Sequence, residues 1–197
     1  MEKEQGRSGR PRSERARVAV LHAVDDLLVE VGYAGMTMKG IAERAQVSRQ
    51  TVYRWWSTTA EILLEASAGD AAEELAVEPS DDPVQDLTAF LEALARFLAH
   101  SPAGIAYRAL VGEAQHDSGV AALLAAEDVL GNSARAVVER ALGPGPAVPV
   151  DQATALLVGP VFFWILSGRD PERFAPREHA EAFMREVHAG GHGRAGR

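Results

Sequence analysis

The chain has no cysteine, which excludes disulfide staples, thiolate metal sites and cysteine nucleophiles and fits a cytoplasmic protein. No run is long and apolar enough to span a membrane. The N-terminus is polar and arginine-rich, without the apolar core of a signal peptide. No stretch alternates as a half-buried strand does, and no internal repeat is visible. A glycine-rich phosphate loop, an HExxH helix and a nucleophile elbow are all missing. What remains is a 197-residue, all-helical pattern with a net charge of −8. That charge is unevenly spread. Residues 1–60 hold ten Lys/Arg against seven Asp/Glu (+3), and residues 61–197 hold ten against twenty-one (−11). Local potential, not the total, governs docking on phosphate.

The most informative segment is MTMKGIAERAQVSRQTVYRWW, residues 36–56. Thr37 is placed to cap one short helix, whose apolar face is Ile41, Ala42 and Ala45. Ser48 is placed to cap a second, expected to run from Arg49 to about Trp55. Val47 and Val52 can pack back on Ile41 and hold the two helices at a steep angle. Arg49, Gln50 and Thr51 lie in the first turn of the second helix, the part that reads base edges in helix-turn-helix proteins. Arg suits guanine, Gln suits adenine, and the Thr methyl suits thymine. Tyr53 and Arg54 are expected on the phosphate backbone, which fixes register without reading sequence. Thr37, Lys39, Ser48 and Thr59 complete the contact set expected in and just after this segment. A solvated polar face on a plain helical hairpin is the alternative reading of the same residues.

This segment resembles the tetracycline-repressor (TetR/AcrR) family of bacterial regulators. The matching positions are Thr37, Ile41-Ala42, Ala45, Val47-Ser48, Thr51, Tyr53 and Trp56, with Glu30 to Tyr33 resembling the end of the family's first helix. The likeness covers roughly residues 15–66 closely and the remainder only in layout. It implies an all-α protein of about nine helices. An N-terminal three-helix helix-turn-helix DNA-binding domain (13–58) would precede a larger helical ligand-binding and dimerisation domain (59–189). A disordered basic arm (1–12) and a flexible tail (190–197) would flank them. Two departures stand out. Gln46 replaces the family's turn glycine, which costs about 1 kcal/mol if that residue has positive φ. Thr58-Thr59 replace a phosphate-contacting lysine, and Thr59 is expected to cap the next helix instead.

The arm carries Arg7, Arg10 and Arg12 around Gly9 and Pro11. Arg10 and Arg12 are expected in an adjacent minor groove. Helix one is expected over about 13–31, with Leu21, Val24, Leu28 and Val31 as its stripe and Gly32 as its stop. Further helices are expected near 59–77, 83–100, 101–116, 120–142, 150–166 and 176–189, with a Gly/Pro loop at 143–149. The helix at 83–100 should face inward with Leu87, Phe90, Leu91, Leu94, Phe97 and Leu98. The helix at 150–166 is apolar on nearly all sides, so it should be buried on nearly all sides. Gly159-Pro160 should bend it or mark a close contact.

By the resemblance, Leu157, Val161, Trp164, Ile165 and Phe183 would form a homodimer interface. Phe90, Leu94, Phe97, Tyr107, Arg108 and Leu110 would face a small-molecule effector. Each apolar residue of that set also suits plain core. Glu113 and His116 have a di-iron spacing, but no second copy accompanies them, and no metal or cofactor is expected. The expected function is a sequence-specific DNA-binding regulator, a repressor released from a palindromic double-stranded operator by an apolar ligand. It would be neither an enzyme nor bound to a membrane. The competing readings are a helical enzyme or metal protein with a vestigial helix-turn-helix, and a DNA-binding dimer that needs no ligand.

Overall fold

In α1 (Gly9–Gly35) the buried face is Val20, Ala23 and Val24. Leu21 and Leu28 are only half-buried, and Val31 is half-exposed. Of the expected stripe Val24 alone is fully buried, and Val20 takes the inward place expected of Leu21, a step of one residue that turns a helix face by about 100°. The chain leaves helical space at Gly32 (φ 67°, ψ 172°), the expected stop. These features come from a computed structural model that describes residues 9–144, 146 and 148–189, with side chains from Ser13 onward. Among the described residues there are ten α-helices, one 3-10 turn (Pro171–Arg173) and no strand.

The helices pack as two compact units that divide between Ala66 and Ser67. The division falls inside α4 (Thr59–Glu74), later than the 58/59 boundary expected from the sequence. Glu65 belongs with the first unit because Arg17 pairs with it and Trp56 Nε1 donates to it at 2.8 Å. In that unit α2 (Met38–Arg44) and α3 (Arg49–Tyr53) bury Ile41, Ala42 and Val52 against α1, with Trp56 closing the core. Arg44 reaches back to Glu30 and Asp26 on α1. Its hydrogen bonds hold the Glu30 carboxyl below the usual carboxylate range. The pair is solvent-exposed, so it orients the helices more than it stabilises them.

Gln46 in the turn has φ 55°. A left-handed residue with a Cβ is strained by about 1–2 kcal/mol, and glycine gives back roughly 0.4–1 kcal/mol through the unfolded chain. Gln46→Gly should therefore stabilise the first unit by about 1 kcal/mol. A urea titration checks this, and an unchanged or lower midpoint would mean the turn carries no strain.

In the second unit α5 (Pro83–His100) is the central helix. Asp82 caps it by accepting from Val84 N at 2.9 Å, and Pro83 occupies the first turn. Leu87, Phe90, Leu91, Leu94, Phe97 and Leu98 are all buried, as their spacing predicts. Helices α6 (Pro102–Glu113), α8 (Val129–Leu142), α9 (Val150–Leu166) and α10 (Pro176–Ala189) pack around it. Asp86 is also buried. It accepts from the Ser80 hydroxyl (2.6 Å) and amide (3.0 Å) and faces Arg140 Nε at 3.5 Å. These partners, Ser80 foremost, hold its carboxyl low despite burial. At the start of α6, a Cβ on Gly104 would lie 1.9 Å from the Phe97 carbonyl oxygen, so α5 and α6 touch backbone to backbone there.

The helix expected over 120–142 is two helices, α7 (Ser118–Glu127) and α8. Asp128 between them is left-handed (φ 41°, ψ 49°). A Cβ on Gly131, one turn into α8, would lie 2.1 Å from the Asp128 carboxylate. Helix α9 has the expected bounds and continues through Pro160. A Cβ at Gly159 would meet nothing within 4 Å, so the glycine marks no close contact inside the chain.

Candidate functional site

Both caps of the helix-turn-helix form as their residues predict. Thr37 Oγ1 accepts from Gly40 N at 3.0 Å, and Ser48 Oγ accepts from Thr51 N at 3.1 Å. Arg49, Gln50, Tyr53 and Arg54 are exposed on and just after α3. Thr51 is half-buried, and its hydroxyl lies 2.8 Å from Ser48 Oγ. It serves the cap, which leaves Arg49 and Gln50 as the free side chains of the first turn. Helix α3 ends at Tyr53 rather than near Trp55, because Trp56 turns inward to its bond with Glu65. Arg54 donates to Ser13 Oγ at 2.7 Å and lies 5.2 Å from the Trp55 ring centroid. It is held on α1 and over an aromatic face. Lys39 is exposed beside Glu43 (3.6 Å).

Thr59 is not the cap of α4. Thr58 Oγ1 accepts from Glu61 N at 3.2 Å, and Glu61 Oε2 accepts from Ser57 N at 2.7 Å. Thr59 is the half-buried first residue of the helix. The side chains of Arg10 and Arg12 lie outside the described residues, as does Arg7, although α1 already begins at Gly9.

The second unit contains a cleft of about 420 Å³ between α6, α7, α8 and α9. Of the expected ligand-facing residues, only Tyr107 lines it. Phe90, Leu94, Phe97 and Leu110 are at most 1 % exposed and fill the core, because α5 is enclosed by its four neighbours. Arg108 does not line the cleft, and its Nε is buried without a hydrogen-bond partner. The walls come instead from residues such as Leu124, Val158 and Phe162. Tyr107 is buried edge-to-face against Phe162 (6.4 Å), and burial, with Asp128 nearby, pushes its hydroxyl pKa up to about 12. Thr154 is 8 % exposed and its Oγ1 has no hydrogen-bond partner. Asp128 makes no side-chain cap, while Arg135 pairs with Asp151 at 3.0 Å. The only sequence signal for the cleft was a glycine three residues after an aspartate inside an otherwise regular helical stretch.

The expected interface residues point the other way. Leu157, Val161, Ile165 and Phe183 are at most 4 % exposed within their own chain, so none is free to meet a partner. Trp164 is half-buried, donates from Nε1 to the Asp170 carbonyl (2.8 Å) and stacks edge-on with Phe174 (6.0 Å). The apolar side of α9 left in solvent is Leu156, Phe163 and Leu166, at 41, 60 and 50 % exposure. Among the described residues no three His, Asp or Glu gather as a metal-binding group. No helix there is long and apolar enough to cross a membrane.

Two family models match the chain. Residues 20–66 match the model for bacterial regulatory proteins of the tetR family. Residues 77–187 match the tetracyclin repressor-like C-terminal domain. An HTH-type transcriptional regulator of Bacillus subtilis (strain 168), YdeS, itself uncharacterised, is 32% identical over 82% of this chain and 84% of its own length. Among solved structures, the TetR family transcription regulator SCO0332 superposes with a TM-score of 0.68 at 26% identity, covering 89% of this chain and 98% of that one. RolR, solved in complex with resorcinol, superposes with a TM-score of 0.64 at 20% identity, covering 90% of each chain. The caps, the exposed face of α3, the helical second unit and these matches agree: the chain belongs to the TetR family of transcriptional regulators.

Proposed function

We propose that this regulator is a homodimeric repressor that binds a roughly palindromic operator and is released when a small, largely apolar molecule fills the cleft between α6, α7, α8 and α9. The observation that carries the DNA half of the reading is the first turn of α3. There Ser48 satisfies the Thr51 amide and leaves Arg49 and Gln50 exposed at a helix N-terminus. The positive balance of residues 1–60 gives that end the sign phosphate requires. The exposed Leu156, Phe163 and Leu166 side of α9 supports the dimer, since the described residues leave it largely uncovered. A cleft with apolar walls and a few polar groups supports the ligand, and a similarly folded regulator, RolR, was solved with resorcinol. Ligand binding can shift the protein away from DNA only through unequal affinity for two conformers.

The test is fluorescence anisotropy on duplexes tiling the gene's own upstream region, repeated across salt concentrations. One tight palindromic site with a steep salt slope is expected. Weak binding that is equal on every duplex in this region and in a genome-wide selection would remove the reading. On the site found, Gln50→Ala should relax discrimination at one base pair per half-site by about 1–3 kcal/mol. Unchanged discrimination there would take Gln50 out of the reading set.

A further inference from the structure

We propose that the cleft is selective by charge: it takes small molecules with an apolar, ring-sized body and a hydroxyl or amino end group, net charge zero or +1, and rejects carboxylates and other anions. This rests on the reading of the cleft as the effector site.

Three polar groups of the cleft lack hydrogen-bond or ion-pair partners among the described residues. Thr154 Oγ1 is more than nine-tenths buried with no hydrogen bond, a standing cost that a ligand donor or acceptor would remove. The Tyr107 hydroxyl stays protonated across physiological pH and has no hydrogen bond among the described residues, so it offers a proton. The Asp128 carboxylate, at the left-handed break between α7 and α8, makes neither a cap nor an ion pair among the described residues. The one cation of the lining, Arg135, is already matched by Asp151 at 3.0 Å. Two carboxylates against one guanidinium leave the cleft with one net negative charge, and that charge belongs to Asp128. An entering amine or alcohol can donate to Asp128 while Thr154 and Tyr107 serve its remaining valences. An entering carboxylate meets a like charge with no free cation to offset it. Val158 and Phe162 give the body of the ligand apolar contacts.

The test uses three probes of the same size: 3-phenylpropylamine, 3-phenylpropan-1-ol and 3-phenylpropanoate. Each is titrated calorimetrically into the full-length protein without DNA. The amine and the alcohol should each bind at least ~10-fold more tightly than the carboxylate. Asp128→Asn should bring the amine-to-carboxylate ratio close to one, and asparagine tolerates the left-handed backbone as aspartate does. Thr154→Val should weaken the amine and the alcohol while raising the melting temperature of the free protein, because it removes a buried hydroxyl without a partner. A carboxylate that binds as tightly as the amine overturns the proposal. So does an unchanged ratio in Asp128→Asn, or the failure of all three probes to bind at millimolar concentration. Adding the operator duplex separates the two readings: probes that bind in the expected order yet leave DNA bound would sustain the charge selectivity and sink the effector role.

Discussion

Gly104→Ala should destabilise the second unit by about 2–3 kcal/mol. The added Cβ would lie 1.9 Å from the Phe97 carbonyl oxygen, 2.6 Å from its carbon and 3.1 Å from Leu98 Cα. All three are backbone atoms of α5, the helix that every other wall of the core leans on. No rotamer can relieve the clash, so α6 must move away from α5 as a body and loosen Ala103, Ala106 and Leu110 with it. Alanine's better helix propensity, worth about 1 kcal/mol, offsets only part of that overpacking. Gly112 is the control. It lies on the same helix, and a Cβ there would meet nothing within 4 Å. Gly112→Ala should therefore stabilise by about 0.5–1 kcal/mol. Chemical denaturation of both variants compares one substitution in one helix with opposite expected signs. A Gly104→Ala protein as stable as the parent would mean that the two helices have room to spare.

Phe163→Glu should convert a dimer to monomers and abolish specific DNA binding. Phe163 is the most exposed aromatic of α9 at 60 %, with Leu156 and Leu166 on the same side of the helix. Burying such a side chain is worth about 1.5–3 kcal/mol, and a two-fold interface counts each residue twice. Losing both phenyl groups and burying two carboxylates weakens dimerisation by about 3–6 kcal/mol or more, at least a hundredfold. One head then holds one half-site, and the coupling between half-sites disappears. Sedimentation velocity beside operator anisotropy measures both effects. An intact dimer would mean that the partner docks elsewhere. Trp164 is a poorer probe. Its indole fastens the end of α9 to the Asp170 carbonyl and to Phe174, so its loss would disturb the fold as well as any interface.

These variants differ from the ones the sequence alone would select, and α9 shows why. A helix apolar on nearly every side has the right length and bounds in the sequence, and 150–166 was legible to the residue. Its pattern has no phase, however, so nothing marks Leu157 and Val161 as inward and Leu156 and Phe163 as outward. Helix α5 is the opposite case. Charged or small residues interrupt its apolar positions, and all six inward residues followed from spacing. In the helix-turn-helix, local chemistry was enough for the caps of α2 and α3. The caps at Thr37 and Ser48 depend on neighbours within a few residues, while the positive φ at Gln46 was suggested by the family's glycine at that turn. In α1 Val24 followed from spacing, whereas Val20 and Leu21 are adjacent apolar residues that differ only in what packs against them. A ligand cavity was expected from the resemblance, but its lining apart from Tyr107 was missed, for a different reason. A left-handed aspartate breaks the helical stretch beside it, and a glycine three residues on is a faint signal inside a regular helical period.

Gly131 has one more consequence. Any side chain there would displace the Asp128 carboxylate, which stands 2.1 Å from where a Cβ would be, and a carboxylate can swing aside where a backbone cannot. Substitution at 131 is thus compatible with folding yet rotates the one unmatched charge out of the cleft. If the cleft selects effectors by charge as proposed, a lineage that drifted at this site would acquire a different effector spectrum while every ionisable residue stayed in place. Related regulators compared only at their charged positions would look identical and answer to different molecules.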